Sequence, residues 1–256
     1  MIRSGLLSVT FRTLSPTEVV DLVRRAHLDG IEWGGDVHVP PGQAAVARSV
    51  AALTADAGLV VAAYGSYYRA GVSEDQGLSF ESVLDTAVEL NAPTIRVWAG
   101  ATGSKQADTE CWARVVQDSW RIADLAAAAG KVVAFEYHSG TLTDSNESAL
   151  RLYGQIARPN VQLYWQPPTH LNEATQIVEL RRVLPFLGNV HVFQWSLDAS
   201  AIVRHPLAAG VSSWRQYMAT ISALPTDRFA LLEFVKDDSP DQFLADALTL
   251  KQLLAG

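Results

Sequence analysis

Short runs of apolar and β-branched residues alternate along this chain with longer segments in which apolar residues recur every three or four positions. Strands buried on both faces produce the first pattern, and helices packed on one face produce the second. Because the alternation persists along the whole sequence, we predict repeated βα units. The eight predicted strands cover residues 5–9, 30–33, 59–64, 94–98, 132–136, 161–165, 189–193 and 229–233.

The segments between these strands carry recognisable helix boundaries. Ser15 is followed by Pro16 and Glu18, which is the order of an N-cap, a first helical residue and a capping-box acid. Similar signals recur down the chain and predict further helices. These further helices cover residues 82–90, 108–129, 145–156, 173–184, 213–224 and 239–254.

The number of units and the chain length together point to one fold class. Eight βα units in 256 residues, with 48% hydrophobic content and no Ser/Pro-rich linker, predict a single α/β domain over 1–256 that closes as a (β/α)8 TIM barrel. An open doubly wound sheet is the alternative. The sequence does not carry the glycine-rich nucleotide-binding fingerprint that often follows the first strand of such a sheet.

Composition excludes several partners. A net charge of -7 without a Lys/Arg cluster disfavours nucleic acid. No apolar stretch approaches the roughly 18 residues of a membrane span, and residues 1–9 are too short and strand-like for a signal peptide, so we expect no membrane partner and a cytoplasmic protein. The lone Cys111 excludes an internal disulfide framework and reads as a small apolar filler on a helix.

Polar side chains stand at the ends of the last four predicted strands. Glu136, Gln166, His191 and Glu233 follow or close these apolar runs. In a barrel the carboxyl ends of the strands meet on one face, so we expect these side chains to assemble one site that could bind a metal. Structural ion pairing of the glutamates and a hydrogen-bonded barrel histidine are the competing interpretations.

Other side chains near the strand ends are candidates for binding a substrate. His138 follows the fifth strand, and the aromatic residues Trp98, Tyr64 and Trp165 could stack on the apolar face of a sugar or polyol. Packing at the rim of the barrel is the alternative for the aromatic rings, and a solvated loop is the alternative for His138. Glu32, at the end of the second strand, could face the pocket, but a supporting position behind it or a place on the surface is an equally good interpretation.

Four segments, taken in order, resemble a known family. They are Gly30-Ile31-Glu32-Trp33-Gly34-Gly35, residues 134–144 around Glu136, Val190-His191-Val192 and Leu231-Leu232-Glu233-Phe234. With them the whole chain resembles the xylose isomerase-like barrels, grouped as sugar phosphate isomerases and epimerases, a superfamily that also includes inosose and 3-dehydroshikimate dehydratases.

The resemblance implies a divalent metal held by Glu, Asp, His and Glu from strands five to eight, with the two glutamates also transferring protons. Glu136, His191 and Glu233 match this pattern, whereas Gln166 stands at the aspartate position. The amide lowers the ligand charge from about -3 to about -2, so metal affinity should fall. Mn²⁺, Mg²⁺, Co²⁺ and Zn²⁺ all suit such ligands.

The resemblance also implies two further substrate contacts. His170 corresponds to a histidine just beyond the strand-six ligand, although its spacing is one residue longer than usual. Arg204, between the seventh strand and its helix, corresponds to an arginine that contacts substrate oxygens. Both could instead be solvated loop residues.

The predicted function is a metal-dependent sugar isomerase or epimerase that acts next to a carbonyl through an enediolate. A dehydratase of an inosose- or dehydroshikimate-like keto-polyol is the first alternative, and a metal-free sugar-binding or regulatory barrel is the second. The expected partner is a small sugar or polyol without phosphate, because no glycine-rich phosphate loop or cation cluster follows strands seven and eight. Barrels of this family are often dimers or tetramers, which leaves a homo-oligomer open.

Overall fold

The computed structural model describes residues 1–199 and 201–255. Gly256, the last residue of the predicted domain, lies outside them. Within the described residues, eight parallel strands close a barrel, and a two-stranded antiparallel hairpin follows the seventh. The strands are β1 Ile2–Leu7, β2 Gly30–Gly34, β3 Val60–Arg69, β4 Thr94–Trp98, β5 Val132–Glu136, β6 Val161–Trp165, β7 Leu187–Val192, β8 Gln194–Asp198, β9 Ala201–His205 and β10 Arg228–Leu232.

The barrel order is β1-β10-β7-β6-β5-β4-β3-β2, so neighbours in space are neighbours in sequence once the hairpin is set aside. Each predicted strand overlaps one barrel strand, and the (β/α)8 TIM barrel is confirmed. The α-helices of the described chain are α1 Pro16–Arg25, α2 Ala44–Asp56, α3 Phe80–Glu89, α4 Thr109–Ala128, α5 Asn146–Ile156, α6 Glu173–Val183, α7 Val211–Ser222 and α8 Pro240–Leu254. No helix in the described ranges is long and apolar enough to span a membrane.

Local sequence explains where most helices begin. At α1 the Ser15 side chain accepts from the Glu18 backbone N–H, and the Glu18 carboxylate accepts from the Ser15 N–H at 2.7 Å, which is the predicted capping box. No helix was predicted where α2 lies. Its N-cap, Gln43, makes no side-chain capping bond, so this helix lacks the Ser, Asp or Asn cap that marks the start of α1, α3, α4, α5, α6 and α8.

The core divides into two layers of different character. The large apolar core lies between the strands and the helices. Inside the barrel the apolar cluster is small and consists of Ala63, Ala134 and Tyr164. Charged side chains of neighbouring strands are also buried, among them Glu32 of β2 and Arg96 of β4. The interior of this barrel is therefore polar where its strands approach their carboxyl ends.

Candidate active site

A buried arginine bridges two buried glutamates inside the barrel. Arg96 Nε of β4 donates to Glu32 Oε1 of β2 at 2.5 Å, and Arg96 Nη1 donates to Glu136 Oε2 of β5. The three residues are at most 3% exposed. Since a guanidinium stays protonated in proteins, the barrel holds a permanent cation at this level.

A glycine makes room for this bridge. Gly65 of β3 lies between β2 and β4, and a Cβ there would collide with the Arg96 guanidinium and stand 3.0 Å from Glu32 Oε1. Any other residue at this position would push the ion pair aside.

His191 lies among three carboxylates. Its Nδ1 is 3.2 Å from Glu136 Oε1 and 3.6 Å from Glu233 Oε2, while its Nε2 is 3.8 Å from Glu32 Oε2. Trp98 Nε1 donates to Glu136 Oε2 at 2.6 Å. Glu136 therefore turns one oxygen toward Arg96 and Trp98 and the other toward His191.

The charges of this cluster shift the pKa of its members in different directions. Burial opposes ionisation of Glu136, but Arg96 and His191 outweigh it and hold the pKa of this carboxyl well below its usual range. Burial raises the pKa of Glu233 to about 7, against the opposing charge of His191. For His191, burial disfavours the charged ring, yet the neighbouring Glu233 and Glu136 raise its pKa to about 10. The two glutamates thus have different proton affinities.

The buried acceptors of the site fit a divalent cation. Ligand atoms of Glu136, His191 and Glu233 all lie within 4.8 Å of one another, close to the spacing of ligands that share one ion. Neither ring nitrogen of His191 makes a hydrogen bond within the described chain, and the buried Oε1 of Gln166 also makes none. Gln166 Nε2 donates to the Tyr137 carbonyl, which fixes the amide with its oxygen as the free ligand atom.

Two of these carboxylates open into a cleft of about 330 Å³. Glu136 and Glu233 line it, together with Gln166. Its sides are built by the loops after β5, β6 and β10 and by the hairpin of β8 and β9, which places it at the carboxyl ends of the strands. The residues predicted at the ends of strands five, six and eight therefore meet at this cleft, with His191 buried beside them.

Aromatic and imidazole rings stand at the entrance. The His138 ring lies 4.5 Å from the Trp98 ring, centroid to centroid, and Tyr67 meets Trp98 edge-on at 5.1 Å. His138 and His170 both line the cleft, and His170 is exposed. Trp98, a predicted substrate contact, is not among the residues that line the cleft and instead holds the Glu136 carboxylate.

Two of the predicted aromatic contacts are buried on the other side of their strands, away from the cleft. Tyr64 is completely buried and its hydroxyl donates to the Val39 carbonyl. Trp165 is also completely buried and packs edge-on against Tyr217 of α7 at 5.3 Å. Successive side chains of a strand point to opposite faces, so residues one position from Gly65 and Gln166 face the helices rather than the interior.

Arg204 belongs to the hairpin rather than to a simple loop. On β9 its Nη1 donates to Asp238 Oδ1 at 2.6 Å, and its guanidinium carbon lies 4.9 Å from the centre of the Phe234 ring. It lines a neighbouring cavity of about 160 Å³. The cleft with the glutamates does not include it among its lining residues.

Sequence reasoning left Glu32 undecided and passed over Arg96. One signal for Arg96 was available, namely a single cation at the centre of a mostly apolar five-residue strand. Arg96 is two positions before Trp98, so the two side chains point to the same face of the strand. A charge buried in such a strand requires a partner, but the sequence alone does not say which strands supply it.

A larger groove lies outside the barrel. Its volume is about 620 Å³, and Trp112, Trp120 and Arg151 line it between α4 and α5. No histidine or glutamate of the described chain is among its lining residues. The glutamates and the histidines of the candidate site lie instead at or beside the smaller cleft at the strand ends.

Solved structures of the same shape cover almost the whole chain. A probable 3-DHS dehydratase, AsbF of Bacillus anthracis, has a TM-score of 0.80 at 22% identity and covers 98% of this chain and 99% of its own. A D-allulose 3-epimerase of a Methylomonas species has a TM-score of 0.75 at 16% identity, with 99% and 98% covered. A Mycobacterium smegmatis xylose isomerase-like TIM barrel in complex with magnesium has a TM-score of 0.75 at 14% identity, with 100% and 97% covered.

Identities this low establish the shared fold alone. No curated protein sequence matches the chain. The family model described as xylose isomerase-like TIM barrel matches residues 20–253, which is most of the chain and includes every strand end that builds the cleft. This chain belongs to the xylose isomerase-like TIM barrel family.

Proposed function

We propose that this protein is a metal-dependent sugar isomerase or epimerase that moves a proton on the carbon next to a carbonyl group. The main support for this proposal is the buried group of Glu136, His191 and Glu233. Their ligand atoms lie within 4.8 Å of one another, beside a cleft large enough for a small sugar. A purely structural ion pair would need neither three converging acceptors nor an open cleft above them.

The residues that would hold the cation are Glu136 through Oε1, His191 through Nδ1, Glu233 and Gln166 through Oε1. Glu136 Oε2 already accepts from Arg96, so only its other oxygen remains for this task. When bound, a divalent cation supplies Lewis-acid stabilisation of negative charge on the substrate oxygens. Mn²⁺, Mg²⁺, Co²⁺ and Zn²⁺ remain the candidates, and the magnesium complex of the Mycobacterium smegmatis neighbour supports this class of ion.

In the proposed reaction, one of the two glutamates accepts the proton from the carbon next to the carbonyl, which leaves an enediolate. The other returns a proton to the opposite face of that carbon in an epimerase. In an isomerase it returns the proton to the adjacent carbon, while the hydroxyl proton of the substrate passes to the former carbonyl oxygen. Arg96 and Trp98 orient the Glu136 carboxylate for its share of this work. The cleft walls hold the substrate and limit the access of water.

A dehydratase remains the second candidate because AsbF, the neighbour with the TM-score of 0.80, is described as a probable 3-DHS dehydratase. That reaction begins with the same proton removal and continues with loss of a β-hydroxyl group. The two proposals therefore share the first half-reaction and differ in the product.

The experiment measures that first half-reaction. The purified protein, with metal content determined by elemental analysis, is incubated in D₂O with D-fructose, D-allulose, aldose–ketose pairs and cyclic keto-polyols, and deuterium uptake is followed by NMR. We expect uptake that depends on a divalent ion and is lost in Glu233→Gln. The matched control Glu147→Gln changes an exposed glutamate on α5 and should retain it.

The products separate the candidates. Deuterated sugars without loss of water support an isomerase or epimerase, and an unsaturated product supports the dehydratase. Absence of a stoichiometric ion together with absence of uptake would refute both and leave a sugar-binding barrel.

A further inference from the structure

Four apolar side chains that are separate in sequence line the cleft. Phe193 follows β7, Trp195 and Ile202 belong to the hairpin, and Phe234 follows β10. The Phe193 and Trp195 rings are stacked with centroids 3.9 Å apart, and the Trp195 and Phe234 rings are 6.0 Å apart. We call these four side chains the apolar wall. Their apolar surface offers no hydrogen-bond partners to the hydroxyl groups of a sugar.

The backbone is strained where it places Phe234 in this wall. Phe234 has a φ of +44°, in the left-handed region that favours glycine. Its N–H donates to Thr10 Oγ1 at 3.0 Å, and its carbonyl accepts from Trp195 Nε1 at 3.4 Å. In a regular strand Glu233 and Phe234 would point to opposite faces, but here both line the cleft. Non-glycine residues that are held in the left-handed region cluster at functional sites in proteins.

The wall faces a cleft without a permanent cation. None of the cleft's lining residues in the described chain is a lysine or an arginine. Arg96 is engaged by buried glutamates, and Arg204 is paired with Asp238 beside a separate cavity. A phosphate or carboxylate at the remote end of the substrate would find no lysine or arginine among the residues that line the cleft, so no ion pair would offset its desolvation.

We propose that the apolar wall is a substrate subsite that accepts a neutral, hydrocarbon-bearing end of a keto-polyol, such as the methyl group of a deoxyketose, and rejects phosphate esters and carboxylates. This inference rests on the proposed function, because it takes the carbonyl end of the substrate to lie at Glu136 and Glu233. It narrows the substrate class: an acid of the dehydroshikimate type has a carboxylate that this cleft does not neutralise.

The test compares matched ligands that differ only at the remote end. Binding of 6-deoxy-D-fructose, D-fructose and D-fructose 6-phosphate, and of the same three forms of D-allulose, is measured by calorimetry on the protein loaded with Mn²⁺. We expect the deoxy form to bind more tightly than the parent ketose, and equal or weaker binding of the deoxy form would overturn the subsite. The phosphate ester should bind about tenfold or more weakly, since its charge must be desolvated against the apolar wall and no lysine or arginine lines the cleft to pair with it.

Two variants report on the wall itself. Trp195→Ala should remove the preference for the deoxy form. Ile202→Lys supplies a cation at an exposed wall position and should strengthen binding of D-fructose 6-phosphate by about two- to fivefold, the range of an exposed ion pair. Ile202 and Val178 are both 54% exposed, so Val178→Lys on α6 is the matched control and should leave all affinities unchanged.

The outcomes distinguish this inference from the proposed reaction. A deoxy preference that requires Trp195, without deuterium uptake by any of the sugars, supports the subsite and refutes the reaction. Deuterium uptake with equal or tighter binding of the phosphate ester supports the reaction and overturns the subsite. Absence of binding by all six ligands also overturns it, as does a deoxy preference that survives in Trp195→Ala.

Discussion

Replacing Arg96 by methionine should destabilise the fold strongly, because this residue neutralises two buried carboxylates. Arg96 is 2% exposed and pairs with Glu32 at 2.5 Å and with Glu136. At an effective dielectric of about 20, each pair is worth roughly 4 kcal/mol, and desolvation of the ions takes back a large part. Breaking such a buried pair costs about 3–5 kcal/mol, which we expect as the loss in free energy of unfolding.

The loss should depend on pH in a defined direction. The folded-state pKa of Glu136 lies below its ordinary value of 4.5, with Arg96 the largest of the charges that lower it against burial. A lowered carboxyl pKa stabilises the fold above pH 4.5, and this contribution disappears as the pH falls through the folded-state value. In Arg96→Met the desolvated carboxylates can take up protons instead, so the difference from the parent protein should shrink between pH 7.5 and pH 5.

The assay is urea denaturation followed by circular dichroism, with chelator present so that no metal contributes to stability. Arg158→Met is the matched control, because Arg158 pairs with Asp124 on the surface, and its loss in free energy of unfolding should be much smaller than that of Arg96→Met. A loss below 1 kcal/mol in Arg96→Met, or an equal loss at both pH values, would refute the reasoning.

Three further predictions follow from the same site. Gly65→Ala should lose about 1–3 kcal/mol in urea denaturation, because its methyl group collides with the Arg96 guanidinium. Tyr64→Phe should lose about 1 kcal/mol with its hydrogen bond to the Val39 carbonyl yet leave sugar affinity unchanged in calorimetry, since the ring faces away from the cleft. In the metal-free protein, the protonated ring of His191 stabilises the fold below its unfolded pKa of 6.5, and this contribution should be lost as the pH rises toward about 10; urea midpoints between pH 6 and 10 measure it.

The sequence predicted the barrel well because each strand is a short apolar run that can be recognised locally. The hairpin of β8 and β9 was missed for the opposite reason. Its residues are half-buried or exposed, so they carry no buried apolar run, and they read as part of a long connection after strand seven. The strand-end positions of Glu136, His191 and Glu233 were recognised because a barrel brings such ends together.

The parts of the site that escaped prediction depend on contacts between distant strands. The bridge from Arg96 to Glu32 joins residues 64 positions apart, and its bond to Glu136 joins residues 40 positions apart. The alternation of side chains along a strand could have corrected one prediction. If Gln166 faces the interior of the barrel, then Trp165, one position before it, faces the helices. For Phe234, however, the strained backbone breaks the alternation, so counting alone would place its ring on the wrong face.

The charge of the barrel interior bears on the glutamine at position 166. Three buried carboxylates, Glu32, Glu136 and Glu233, and the single guanidinium of Arg96 sum to -2 when the histidine is neutral. A divalent cation brings that sum to zero, whereas a carboxylate at position 166 would leave an excess negative charge in a desolvated site. The neutral amide of Gln166 therefore suits a site that already has a third carboxylate in Glu32. In this barrel the glutamine is compatible with a bound divalent ion rather than a sign of its loss.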